Sequence, residues 1–286
     1  MRDNYLVYRI GLSLAKILPL RLGYFLAVVI SDLRYCFAFK DRAAVKENLQ
    51  VIFPEMELGA IKRIRRSMFR NFAKYLVDFF CFSKINQAYI KKKIQIKNSE
   101  NFDSALSRKK GVIALTAHLG NWELGGVVLA LLGYPLWAVV LEHKDKRVNE
   151  FFINQRESKG IKVIPLGGAA RQCIKVLREN KILALVGDID FVESGLEVDF
   201  FGRKTTLPSG PSVLALNTGA VIVPGFLVRN PDDSFTLFVE RPLEYQPTGD
   251  KQKDCQRIIR EYVAIFEKYI RRYPDQWYMF RRFWKE

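Results

Sequence analysis

From about residue 97 onward the chain keeps one rhythm: a short apolar run, a turn, an amphipathic stretch, then another apolar run. Strand-like runs fall at residues 112–116, 136–140, 161–165 and 182–186, and helix-like stretches at 122–132, 147–159 and 169–179. After an irregular segment come a short helix at 209–217, strands at 221–228 and 234–240, and a long helix at 254–272. Strands alternating with helices demand crossover connections, so the expected fold is α/β, a mixed, mostly parallel sheet flanked by helices. In such sheets ligands gather at the carboxyl ends of the strands. The first 97 residues read differently, as basic helices, so the expected division is a helical, membrane-associated region at 1–97 and a catalytic domain at 98–286.

Composition narrows the partners. The chain is 49% apolar, enough to bury a full core. Its 46 Lys and Arg outnumber 30 Asp and Glu, a formal charge of +16, which points to an anionic partner. A nucleic-acid binder would need a recognisable module or a concentrated basic groove, and here the charge is spread over amphipathic helices. Cys36, Cys81, Cys173 and Cys255 show no metal-ligand spacing and are expected to be buried free thiols. Arg9 and Lys16 interrupt the first apolar stretch, so it does not read as a signal peptide. The uncharged run at 22–31 is about half the roughly 20 residues that span a bilayer. This end is expected to lie on or dip into a membrane. The closing "FRRFWK" reads as a second, interfacial anchor.

The densest chemistry is "ALTAHLGNWELGG" at 114–126. His118 falls just past the first strand, Gly120 and Asn121 turn the chain, and Glu123 opens the next helix, with Gly120 as its expected N-cap. A carboxylate on one imidazole nitrogen fixes the tautomer and raises the basicity of the other, so Glu123 is the expected partner of His118. Asp188 and Asp190, in "GDID", end a strand at the same edge, as candidates for binding an acceptor hydroxyl or forming a salt bridge within the site. Glu142 follows another strand, and His143 beside it reads as a surface residue. Arg156 ends a helix heading toward the sheet, where it can bind a phosphate. In "LEVDFFGRK", alternation puts Glu197 and Asp199 on one face, and Arg203 adds a cation. Ser209 and Gly210, in "LPSGPS", start a helix whose N–H groups suit a phosphate or a polarised carbonyl. No G-x-S-x-G, P-loop or dinucleotide fingerprint occurs, and no third ligand makes a metal site of the two aspartates.

His118 and Glu123 form an H-x4-E motif that resembles the glycerolipid acyltransferases, and "HLGNWELGG" resembles their lipid A (late, lauroyl/myristoyl-type) branch and the related phosphatidylinositol mannoside acyltransferases. "GDIDFVESGLEVDFFGRKTTLPSGPSVLALNTGAVIVPGF" and "YIRRYPDQWYMFRRFWK" resemble two further blocks of that family, in the same order. The resemblance implies a glycerolphosphate-acyltransferase-like fold, with His118 as general base and Glu123 as its partner. It also places Arg156 at a family arginine, and Glu197 and Asp199 as in the mannoside-acylating relatives; many relatives have Asp-Gln where this chain has "DID". The implied reaction moves an acyl chain from acyl carrier protein or coenzyme A, acidic donors that suit a basic chain, to a hydroxyl of a lipid A precursor or related glycolipid. It would run at the cytoplasmic face of the inner membrane, without metal or redox cofactor. A lysophospholipid acyltransferase and a non-catalytic lipid-binding relative are the alternatives.

Overall fold

A computed structural model describes residues 5–284. Four helices lead: α1 (Tyr5–Ile17), α2 (Leu20–Phe37), α3 (Phe39–Ile52) and α4 (Leu58–Phe80). Then come α5 (Gln87–Lys93), β1 (Ile94–Lys97), α6 (Glu100–Ser107), β2 (Val112–Thr116), α7 (Trp122–Leu131), β3 (Leu136–Val140) and α8 (Lys146–Glu157). They are followed by β4 (Lys162–Pro165), α9 (Ala170–Arg178), β5 (Ile182–Val186), β6 (Leu196–Phe200) and β7 (Arg203–Leu207). The chain closes with α10 (Gly210–Thr218), β8 (Val221–Arg229), β9 (Phe235–Val239) and α11 (Lys251–Arg272).

Seven strands form one sheet in the order β1-β9-β8-β2-β5-β3-β4. Every neighbouring pair is parallel except β8 with β9. The fold is thus the mixed, mostly parallel α/β sheet that the alternation of elements predicts. Strand side chains alternate between two cores. Ile113, Leu115, Ile222 and Val228 pack with α9, α10 and α11 on one face; Val112, Val221, Val223 and Leu227 pack with α6 and α7 on the other.

Three strands, β1, β6 and β7, and the helix α6 are not among the elements expected from the sequence. β1 is an edge strand of four residues, IQIK, whose alternation is too short to stand out beside the lysines that end α5. The segment read as irregular contains the β6–β7 hairpin, closed by Phe201 and Gly202, both at positive φ (55° and 72°). A two-residue turn of that kind normally announces itself as Asn-Gly, and here a phenylalanine occupies the first position.

The N-terminal helices are built onto the sheet. α4 packs on α2, α7 and the turn Pro274–Gln276. Asp78 of α4, 1% exposed, takes hydrogen bonds from Tyr24 of α2, Asn121 Nδ2 (2.7 Å) and the Arg229 guanidinium at the end of β8. Burial pushes the Asp78 carboxyl up, but Arg229 and these donors all favour the charged form, so the pair is read as ionised. Among the described residues no single helix is long and apolar enough to cross a membrane. α2 and α3 together meet that test by length and composition, but they are bent by 92°, and α3 commits Val45, Leu49 and Ile52 to the protein's own core.

Two expectations are corrected. Cys36 is exposed, on α2, whereas Cys81, Cys173 and Cys255 are buried thiols. The aromatic tail folds back rather than pointing outward. Asn48 bonds Met279 O, Arg281 O and Phe283 N, Phe280 lies on Phe69, and the Trp284 indole donates to Phe200 O. Lys285, the last residue of that predicted anchor, lies outside the described residues.

Replacing Asp78 by Asn removes the buried counter-charge of Arg229 and leaves it only the partly exposed Asp233 at 3.2 Å, so Asp78→Asn should cost about 3 kcal/mol in a denaturant titration. A loss below about 1 kcal/mol would show that this tie does not hold the helices to the sheet.

Candidate active site

β2 and β5 are parallel neighbours with Thr116 opposite Val186. Two residues beyond that register, His118 and Asp188 leave the sheet side by side. The backbone of the histidine is clamped: His118 O accepts from Tyr278 N (2.9 Å), Gly120 N donates to Gln276 O (2.9 Å), and Asn121 N donates to Leu227 O (2.7 Å). Gly120 sits at φ 65°, where a Cβ would lie 2.1 Å from Leu227 O, so only glycine fits the turn. Asn121, rather than Gly120, caps α7: its Oδ1 accepts from Leu124 N (3.0 Å), while its Nδ2 reaches Asp78. One side chain therefore starts the helix and fixes the N-terminal region.

Asp188 is fully buried, and its carboxylate is saturated with donors. Oδ1 lies 2.7 Å from His118 Nδ1; Oδ2 accepts from His118 N (3.0 Å) and from the Trp277 indole Nε1 (3.0 Å). Burial alone would raise this carboxyl's pKa, but the histidine charge and these hydrogen bonds outweigh it and hold it below the ordinary value. In the neutral ring, an ionised acceptor at Nδ1 means that Nδ1 carries the proton and Nε2 carries the lone pair. The imidazole side chain is 21% exposed and lies edge-on to Trp122 (5.0 Å) and Phe191 (6.4 Å).

The expected partner of His118 lies elsewhere. Glu123 forms a two-pronged ion pair with Arg156, at 2.6 Å to Nη2 and 2.9 Å to Nε, with both side chains largely buried. The first turn of α7 and the last turn of α8 are thereby locked together, and Arg156 covers the aromatic rings of Phe79 and Phe152. Trp122, between His118 and Glu123 in sequence, stacks on Tyr75 of α4 at 4.7 Å.

The other candidates divide. Asp190 accepts from Val192 N (3.1 Å) and Gly195 N (2.6 Å), shaping the loop that carries Phe191. Ser209 ties the same loop through Ser194 O (3.0 Å), and Gly210 begins α10. Glu197 and Asp199 do share a face, but it is the exposed face of the hairpin, where Glu197 pairs with Lys204 (2.9 Å) and Arg203 is exposed too. Glu142 is exposed beyond β3, and His143 stacks on Phe152 at 4.5 Å. Among the described residues no three His, Cys, Asp or Glu side chains converge as metal ligands. The sequence reading did not find Trp277, although it marked the "PDQW" run that contains it.

Comparison with known proteins bears on this arrangement. The profile of the bacterial lipid A biosynthesis acyltransferase family matches residues 4–286. The chain is 26% identical over 281 residues to a phosphatidylinositol mannoside acyltransferase of Mycolicibacterium smegmatis, covering 97% of this chain and 90% of that protein. It is 29% identical over 223 residues to the protein of that name in Mycobacterium tuberculosis (75% and 68%). To the lipid A biosynthesis palmitoleoyltransferase of Escherichia coli it is 23% identical over 270 residues (93% and 86%).

Asp188→Asn should lower kcat by about 10²–10⁴-fold, because an amide can reverse the histidine tautomer. It also tests linkage. A carboxyl whose folded pKa is depressed stabilises the fold fully above its unfolded value, near 3.9, and loses that stability as pH falls through the folded value. Asp188→Asn should therefore flatten the acid slope of stability. An unchanged slope would mean that the carboxylate is not held ionised.

Trp277→Phe keeps an aromatic ring but removes one donor to Asp188. The carboxylate becomes a better proton acceptor, so the acid limb of the kcat/KM profile should move to higher pH while kcat falls about tenfold and KM stays near its wild-type value. A kcat loss with no movement of the limb would mean packing alone.

Proposed function

The chain belongs to the bacterial lipid A biosynthesis acyltransferase family, and from that premise we propose how this lipid acyltransferase works. Its acceptor is a lipid. The His118–Asp188 pair at the carboxyl edge of the sheet is the observation that carries the mechanism. Asp188 holds the Nδ1–H, and Nε2 takes the proton of an acceptor hydroxyl as its oxygen attacks the carbonyl carbon of an acyl thioester. The tetrahedral intermediate collapses with loss of the thiolate, and the imidazolium returns the proton to that sulfur. No electrons change hands, so the step needs a base and an activated acyl group but no redox cofactor. In this reading Glu123 is a positioning residue: its ion pair with Arg156 locks the start of α7, next to His118, to α8.

The donor is acyl carrier protein or coenzyme A, whose negative charge complements a chain of formal charge +16. The acceptor is a hydroxyl of a lipid A precursor or related glycolipid, in keeping with the names of the similar proteins. Leu6, Ile10, Leu14 and Ile17 of α1 and Phe25, Ile30, Leu33 and Phe37 of α2 are exposed, an apolar surface that supports docking on the cytoplasmic face of the inner membrane.

Mass spectrometry of lipids from a Gram-negative host expressing the wild type or His118→Ala tests the reading. A lipid heavier by one acyl chain should appear with the wild type alone. Equal amounts with both proteins would remove His118 from the chemistry.

A further inference from the structure

A cavity of about 750 Å³ opens between the start of α2, the end of α5 and the turn joining β8 to β9. Its lining is apolar at Leu20, Phe25 and Val28 and cationic at Arg21, Lys92 and Lys93. Two acids also line it, and both already have partners: Asp233 is paired with Lys74 (2.7 Å) and Arg229 (3.2 Å), and Asp232 accepts from Ser234 Oγ (2.6 Å). Asp232, whose pKa is lowered first by its Ser234 hydrogen bonds, also feels Lys93, but the lining sets four cations, Arg21, Lys74, Lys92 and Lys93, against two acids, so cations are in excess.

Its position on α2 gives the occupant. Arg21, Tyr24, Phe25 and Val28 follow an i, i+3, i+4, i+7 spacing and form one stripe. The exposed apolar stripe of the same helix, Leu22, Leu26, Val29 and Leu33, lies beside it, and Phe25, 63% exposed, belongs to both. A helix resting its apolar stripe on a bilayer brings the flanking stripe to headgroup depth. Cations there meet phosphate, and the apolar lining meets the first carbons of an acyl chain.

We propose that this cavity is a binding site for the phosphate headgroup of an anionic membrane lipid, separate from the acyl-transfer site. The proposal rests on the membrane docking described above. It adds a defined site to what would otherwise be diffuse attraction. Lys74 and Asp233, at its floor, connect through Arg229 and Asp78 to Asn121, so substitutions that test the cavity should spare them.

The test measures partition of the full chain onto vesicles of phosphatidylcholine, with and without phosphatidylglycerol. A headgroup-level cation contributes about 1 kcal/mol, about fivefold in binding, so Lys92→Gln/Lys93→Gln should weaken binding to the phosphatidylglycerol vesicles by about 25-fold and leave binding to neutral vesicles unchanged. Arg171→Gln/Lys175→Gln, the same charge change on α9 at the other face of the sheet, should have little effect. Equal losses from both pairs would show diffuse attraction and overturn the site, as would no loss from the Lys92/Lys93 pair. Release by inorganic phosphate, beyond that caused by chloride at equal ionic strength, would make free phosphate the ligand and overturn a lipid site. Wild type that ignores both kinds of vesicle would refute the membrane docking itself.

Discussion

The buried carboxylate of Asp188 is the group on which the site is built. A lone charge at zero exposure would be prohibitively costly, and three hydrogen bonds from two residues make it tolerable. Those bonds require three distant parts of the chain at one point. β2 must deliver His118, β5 must lie beside it in register, and the segment after α11 must return to place Trp277. The fold thus fixes the position of the His118 ring and its tautomer together. His118 lies in a loop, but that loop is bonded on both sides, to β8 and to the segment at 276–278.

A second buried carboxylate, Asp78, serves the same loop from the opposite direction. It joins α2, α4, the cap of α7 and the end of β8 around one ionised centre. The Gln276 side chain completes the frame, accepting from Arg229 N and donating to Arg229 O, both at 2.8 Å, as a neighbouring strand would. Residues expected to form a separate membrane-associated region therefore also support the His118 loop. α2 also carries part of the exposed apolar surface, so that surface and the His118 loop are joined through one buried network.

Much of this was legible in the sequence. Strand and helix periods located most of the sheet, and the His118 motif fell at the edge where ligands bind. The partner was misassigned for a definite reason. Glu123 is near His118 in sequence, but contact at a sheet edge depends on strand order, and β5 inserts between β2 and β3. The text "GDID" shows that Asp188 ends a strand; it does not show which strand is next door. Trp277 was harder still, because an indole N–H donated to a buried acid leaves no periodic signal. Glu197 and Asp199 were placed correctly on a common face, but the sign of that face, outward, is set by Val198 and Phe200 packing inward.

The most direct test is side-chain nitrogen NMR of protein labelled at histidine, since the chain has only two, His118 and His143. In its neutral form the His118 ring should carry its proton on Nδ1 and none on Nε2, and Asp188→Asn should abolish that preference. A neutral ring protonated on Nε2 in the wild type, or a tautomer unmoved by Asp188→Asn, would contradict a base oriented by Asp188.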